Sequence, residues 1–322
     1  MPRPVVLATR HFPEAVEQRL AALFEARLNP QDALWDGAEI GRRADGAAGL
    51  MIAAGQRLDE AAIALLPPSI RIIATFSVGY EHLDVAAANR RGIVCSNTPD
   101  VLTDATAEVA LLCLLGAARR AWEGQSMLRA GQWHGWAPTQ LLGIGLTGKR
   151  LGIVGMGRIG QAMAQRARAC GMEIHYTNRQ RLAPALENGA IFHLTVQELL
   201  PLSQFLSLHC PLTPQTARLI NKDSIARLPD GAVIVNTARG GIVDDEALIA
   251  ALKSGKVAAA GLDVFEGEPR LDARYIGLAN TYLLPHMGSA STEARNAMGF
   301  CCIDNLQAVL LEGRPAPTLI TP

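Results

Sequence analysis

The sequence has no surplus of either charge: Lys and Arg number 30, and so do Asp and Glu. A global basic field for nucleic acid or an anionic membrane is therefore missing. No C-x-x-C pair occurs. The six cysteines are scattered at 95, 113, 170, 210, 301 and 302, so neither a zinc site nor a thioredoxin-like motif is indicated, and no metal is expected. They read as reduced, mostly buried thiols of a cytoplasmic protein. Long hydrophobic runs are also missing. The most apolar stretch, Val109 to Ala118, falls far short of the ~20 residues a membrane span requires. The opening Met1-Pro2-Arg3-Pro4-Val5-Val6-Leu7 lacks the apolar core of a secretory leader. There is no internal repeat, low-complexity tract or long charged block.

What is present suggests two domains, because 322 residues exceed one typical core. In the first hundred residues, Val5–Ala8, Gly49–Ala53, Ile70–Phe76 and Ile93–Ser96 read as strands. Pro13–Arg27, Asp59–Leu66 and Asp84–Arg90 read as the helices between them. Short, continuously apolar strands alternating with helices indicate a parallel sheet covered on both faces. A second series follows. Leu151–Val154, Glu173–Thr177, Phe205–His209, Ala232–Asn236 and Ala258–Leu262 are its strands, and Arg158–Cys170, Lys222–Leu228 and Asp244–Lys253 its helices. Gly171 suits a helix C-terminal cap. The expected fold is α/β, with two doubly wound parallel-sheet domains, Rossmann-like or flavodoxin-like, and the active site in the cleft between them.

Between the two series, Asp104–Trp122 reads as one helix with Thr103 or Asp104 as N-cap. Its centre is apolar on every side, so burial all round is expected, against the second domain or a second subunit. A last helix, about Ser291–Leu311, has no strand after it and is read as crossing back to the first domain. The expected division is therefore 1–99 plus 292–322 for substrate and 100–291 for a dinucleotide.

The dinucleotide reading rests on Leu151-Gly152-Ile153-Val154-Gly155-Met156-Gly157-Arg158-Ile159-Gly160, a strand running through a glycine turn into a helix. Gly155 permits the tight turn, Gly157 lets the backbone approach a pyrophosphate, and Gly160 lets helix and strand pack closely. The N–H groups of Arg158 and Ile159 open the helix toward the phosphates. A lone G-x-G-x-x-G is weak; strand, helix and following strand together make it specific. Where NAD enzymes place Asp or Glu for the ribose hydroxyls, this chain has Asn178-Arg179-Gln180-Arg181. Arg179 and Arg181 can pair with a 2′-phosphate, which favours NADP(H) while leaving NAD(H) open.

Three chemical groups follow later strands: Arg239, Glu268 and His286. In open α/β sheets, ligands bind at the C-terminal strand ends. At these residues the chain resembles the D-isomer-specific 2-hydroxyacid dehydrogenase family, and within it the glyoxylate/hydroxypyruvate reductases. The likeness is carried by Asn236-Thr237-Ala238-Arg239-Gly240-Gly241-Ile242-Val243-Asp244, by Gly261-Leu262-Asp263-Val264-Phe265-Glu266 leading to Glu268-Pro269, and by Leu284-Pro285-His286, in that order.

The resemblance implies NADPH-dependent reduction of a small 2-keto acid, such as glyoxylate or hydroxypyruvate, to the D-2-hydroxy acid. Arg239 anchors the carboxylate and polarises the carbonyl. His286 donates the proton, and Glu268 orients its ring and favours its charged form. Thr237, Ala238, Arg239, Asp263, His286 and Gly288 then join Asn178, Arg179, Gln180 and the glycine turn as cofactor contacts. Ser77-Val78-Gly79-Tyr80-Glu81-His82-Leu83-Asp84 matches the family's substrate loop, in which the N–H groups of Val78 and Gly79 face the carboxylate. Relatives commonly carry Val-Gly-x-Asp-Asn there; Glu81-His82 departs from it. Trp136 matches a residue that narrows the partner subunit's pocket in similar reductases, and a homodimer through the 104–122 region is implied. Two alternatives stand beside this reading. A D-3-phosphoglycerate-dehydrogenase-like enzyme is disfavoured by the end at Pro322 and the missing Asp after the second strand. A non-catalytic NAD(H)-sensing regulator would keep the same three residues.

Overall fold

Every strand pairing in the computed structural model, which describes residues 2–321, is parallel. Their continuous aliphatic runs fit strands covered on both faces. The chain divides into two units, Met1–Leu102 with Ala290–Pro322, and Thr103–Ser289; Met1 and Pro322 themselves lie outside the described residues.

The first unit has five strands: β1 (Val5–Ala8), β2 (Glu25–Arg27), β3 (Gly49–Ala53), β4 (Ile72–Phe76) and β5 (Val94–Ser96). Their order is β2-β1-β3-β4-β5, the flavodoxin-like arrangement. Aspartates start three of its helices: Asp36, Asp59 and Asp84 each accept an N–H three residues on, a cap contributing about 1 kcal/mol. The expected helix Pro13–Arg27 is shorter. It runs Glu14–Leu23, and Glu25–Arg27 is an edge strand on β1. Phe-Glu-Ala-Arg suits a helix locally, but the open edge of β1 takes it up while Phe24 is buried.

The second unit has seven strands: β6 (Arg150–Val154), β7 (Glu173–Thr177), β8 (Ile191–His193), β9 (Phe205–Leu208), β10 (Ala232–Asn236), β11 (Val257–Leu262) and β12 (Thr281–Leu283). Their order, β12-β11-β10-β9-β6-β7-β8, is the Rossmann arrangement, reversing direction between β6 and β9. Gly171 ends the helix Arg158–Ala169 at φ +75°, with its N–H on the Arg168 carbonyl and that of Met172 on Ala167.

The expected single helix 104–122 is two. Thr103–Ala118 already contains Thr103 rather than using it as a cap, and Ala121–Arg129 follows a left-handed break at Arg120, φ +53°. Within the single chain the burial is one-sided. Ala107, Ala110, Cys113 and Leu114 are buried, but Leu112 and Leu115 are 41% and 36% exposed. Among the described residues no helix is long and apolar enough to cross a membrane.

The buried side of Thr103–Ala118 sits directly on the sheet. A β-carbon at Gly261 in β11 would lie 2.4 Å from the Cys113 carbonyl oxygen. Backbone cannot retreat as a side-chain tip can. Gly261→Val should therefore lower stability by about 2–3 kcal/mol, read as a fall in the urea midpoint, with Gly261→Ala between the two. An unchanged midpoint would show that this contact is slack.

Candidate active site

Gly155 follows β6 at φ +93°, a conformation that favours glycine. A β-carbon there would strike the His209 and Cys210 backbone at 2.6–2.8 Å. At Gly160 it would meet the Gly155 carbonyl oxygen at 2.3 Å, whereas at Gly157 it would meet nothing. Two glycines thus allow backbone packing and the third fronts open space. Gly157 caps the helix Arg158–Ala169 without a side-chain bond, so the first N–H groups face that space, as an anion site requires. The Arg158 side chain is exposed and Ile159 is half-buried.

After β7, the Asn178 Oδ1 accepts the Met156 N–H at 2.8 Å, tying this turn to the glycine turn. Arg179 and Gln180 are exposed. Arg181 is committed elsewhere. Its guanidinium forks onto Glu187 at 2.7 and 3.0 Å, and Glu187 also accepts the Tyr176 hydroxyl at 2.7 Å. Arg181 is therefore withdrawn as a phosphate partner, leaving Arg179.

The loop after β10 winds on Asn236, which accepts from the Ala238 N–H and donates to the Arg239 carbonyl. The Thr237 hydroxyl is buried with no partner among the described residues. An orphaned buried hydroxyl, the open space before Gly157 and the uncapped helix start together fit a nicotinamide dinucleotide.

Asp263 follows β11 and is 1% exposed. Its Oδ1 accepts the Met287 N–H at 2.7 Å and its Oδ2 the Gly288 N–H at 2.8 Å. Burial pushes its pKa up, only partly offset by these bonds and the nearby His286. The residue just before this clamp, His286, sits at φ +52°, where a non-glycine backbone is held at some cost. Its Nδ1 meets Glu268 Oε2 at 2.6 Å, and Glu268 Oε1 accepts the Phe265 N–H at 2.8 Å. Burial alone would raise the Glu268 pKa; the bonds from His286 and Phe265 and the charges of His286 and Arg239 outweigh it and lower it. Glu268 is thus a carboxylate that accepts through both oxygens, and the His286 Nε2 bonds to no other described residue.

In the first unit, Val78 and Gly79 follow β4. Asn97 Nδ2 donates to the Val78 carbonyl and Ser77 Oγ to that of Gly79, while their N–H groups bond to no acceptor among the described residues. Trp136 is 81% exposed. Sequence reasoning missed His209, the floor of the glycine turn, and Asn236. The signal for both is the same: a polar residue at the C-terminal end of an otherwise apolar strand.

A family profile described as D-isomer specific 2-hydroxyacid dehydrogenase, NAD binding domain, matches residues 111–288. The chain is 42% identical to a glycerate dehydrogenase of Hyphomicrobium methylovorum, over 96% of this chain and 97% of that one. It is 41% identical to a glyoxylate reductase of Thermococcus kodakarensis, over 99% and 96%. Among solved structures, the NADPH-dependent glyoxylate/hydroxypyruvate reductase of Sinorhizobium meliloti, in complex with NADP and malonate, superposes with a TM-score of 0.89 at 35% identity, over 99% of this chain and 97% of that one. The fold and site are those of a nicotinamide-dependent oxidoreductase. The chain belongs to the D-isomer specific 2-hydroxyacid dehydrogenases and is an NAD(P)-dependent 2-hydroxyacid dehydrogenase.

His209 makes the glycine turn sensitive to acid. Its ring is bonded to Ser207 Oγ at 2.8 Å, and burial lowers its pKa from 6.5 to about 4. Between those values the unfolded chain takes up a proton that the folded one refuses. Stability should fall from about pH 6.5 to about pH 4, by at most about 3 kcal/mol from this group, and lose nothing more from it below. Urea midpoints across that range should slope less for His209→Gln than for the unmodified chain; equal slopes would refute the assignment.

Proposed function

We propose that the protein reduces glyoxylate and hydroxypyruvate to the D-2-hydroxy acids with NADPH. The observation that carries this reading is the 2.6 Å bond between Glu268 and His286, with the charge of Arg239 acting on the same carboxylate. A proton donor, its orienting carboxylate and a guanidinium are what a keto-acid reduction requires.

When bound, the reduced nicotinamide supplies the hydride for the carbonyl carbon. Arg239 holds the substrate carboxylate with its fork and draws electron density toward the carbonyl oxygen. The N–H groups of Val78 and Gly79, which bond to no acceptor among the described residues, suit a substrate carboxylate. His286 delivers a proton from Nε2 to the oxygen, while Glu268 holds Nδ1–H and balances the imidazolium charge. In the oxidation direction, neutral His286 accepts that proton. The Thr237 hydroxyl, Ala238, Asp263 and Gly288 line the nicotinamide end; Gly155, Gly157, Arg158, Ile159 and Gly160 hold the pyrophosphate.

NADPH is preferred because no carboxylate stands beside Asn178, Arg179 and Gln180, and Arg179 has no ion pair among the described residues to compete for a 2′-phosphate. The relatives acting on glyoxylate and glycerate favour a two- or three-carbon acid. We further propose a cytoplasmic homodimer covering the exposed Leu112, Leu115, Trp122 and Trp136, with Trp136 narrowing the partner's pocket. The six cysteines are all free, in keeping with a reducing compartment.

Oxidation of NADPH and NADH by glyoxylate and by hydroxypyruvate tests the reading. NADPH should lead by about tenfold or more in kcat/KM, and Arg179→Ala should erase about tenfold of that lead through the cofactor KM. Equal use of both cofactors would reject the NADPH assignment. No turnover of any small 2-keto acid would reject the enzyme reading in favour of a nucleotide-sensing regulator.

A further inference from the structure

The unusual residue of the substrate loop, His82, stands at one end of a chain of hydrogen bonds. Its Nε2 lies 2.8 Å from Thr75 Oγ1. Thr75 Oγ1 lies 2.9 Å from Ser77 Oγ. Ser77 Oγ reaches the Gly79 carbonyl at 2.7 Å. Thr75 is wholly buried and Ser77 is 8% exposed, so these hydroxyls are costly unless bonded. They share one side of the strand end because they are two residues apart. The backbone of His82 is fixed as well, since its carbonyl accepts the Leu58 N–H at 2.8 Å.

The direction of this chain follows from counting protons. A carbonyl only accepts, so the single Ser77 hydroxyl proton goes to Gly79. Ser77 Oγ must then accept from Thr75, which spends the Thr75 proton. Thr75 Oγ1 must in turn accept from His82, so His82 carries a proton on Nε2. With Asn97 on the Val78 carbonyl and the Thr98 N–H on that of Ser77 at 2.9 Å, all three carbonyls of Ser77-Val78-Gly79 are occupied. The peptide planes are thereby set, leaving the Val78 and Gly79 N–H groups for an anion.

We propose that His82 is a positioning residue that orients the carboxylate-binding N–H groups of Val78 and Gly79 through the donor chain His82, Thr75, Ser77. This rests on the reading of that loop as the carboxylate site. What position 82 requires is a hydrogen-bond donor at the reach of Nε2. A charge or a general acid is not required there.

Two variants break the chain at different links: His82→Leu removes the donor, and Thr75→Val replaces the middle hydroxyl by a methyl of similar shape. His82→Gln keeps an N–H donor at similar reach. Glyoxylate KM, and the Kd of oxalate measured calorimetrically in the presence of NADPH, should rise about five- to tenfold in His82→Leu and Thr75→Val. In both, kcat and the NADPH KM should stay within about twofold. His82→Gln should behave as the unmodified protein. A merely structural role would lower kcat or stability without this split, and His82→Gln would not rescue it. Equal behaviour of Leu and Gln at position 82, or a fall in kcat at constant KM, would overturn the proposal. Nitrogen-15 NMR of the His82 ring reads the chain independently of turnover: a proton on Nε2 is expected, and an unprotonated Nε2 would overturn it. If the unmodified protein neither turns over a 2-keto acid nor binds oxalate, the carboxylate-site reading fails. The proposed role then fails with it, even where the Nε2 proton is found.

Discussion

Two successive backbone N–H groups, those of Met287 and Gly288, end on the two oxygens of one buried carboxylate, Asp263. The residue before them is His286, whose backbone is left-handed at φ +52°. A free chain would leave that conformation readily. Charge-assisted bonds of this kind are each worth roughly 1.5–3 kcal/mol, enough to offset the cost of a non-glycine residue there, which is of order 1–3 kcal/mol. With the backbone held, the ring of His286 meets Glu268 through Nδ1. Glu268 is itself pinned by the Phe265 N–H, from the segment that follows β11 just after Asp263. The proposed proton donor and both of its supports thus hang from the ends of two neighbouring strands, β11 and β12, which pair in register at Leu262 and Leu283.

The same economy governs the nucleotide end. Gly155 and Gly160 are where backbone meets backbone, Gly157 is where space is left open, and Asn178 ties the glycine turn to the turn that carries Arg179. Arg181 shows how position alone misleads. It stands in the same basic cluster as Arg179, yet its fork is spent on Glu187, which is nearly buried and has the Tyr176 hydroxyl as a further partner. That network orders the turn, and Arg179 is the guanidinium on it with no ion pair among the described residues.

Much of this was legible in the residues alone. Both central sheets were, because buried parallel strands are written as unbroken aliphatic runs such as Val233-Ile234-Val235. The two edge strands Glu25–Arg27 and Ile191–His193 were not: three residues of mixed polarity carry no period, and only the neighbouring strand's open edge makes them strands. The break at Arg120 was hidden by the apolar run before it. In the site, the glycine spacing and the Arg239, Glu268 and His286 motifs stood out. The clamp by Asp263, the buried His209 and the chain from His82 to Gly79 did not. Each is a side-chain bond whose partner is set by the folding of separate segments, and residue type alone does not specify such bonds.

Glu268 accepts two N–H groups with two oxygens, and that is the arrangement on which the proposed proton transfer depends. Glutamine in its place puts an NH2 donor where one of the two oxygens stands, so it cannot meet the Phe265 N–H and the His286 Nδ1–H with an acceptor at each position. The most direct measurement is single-turnover reduction of glyoxylate by the NADPH-loaded Glu268→Gln protein. The rate should fall by about 10²-fold or more while NADPH affinity stays within about twofold of the unmodified protein. A rate equal to that of the unmodified protein would contradict the account.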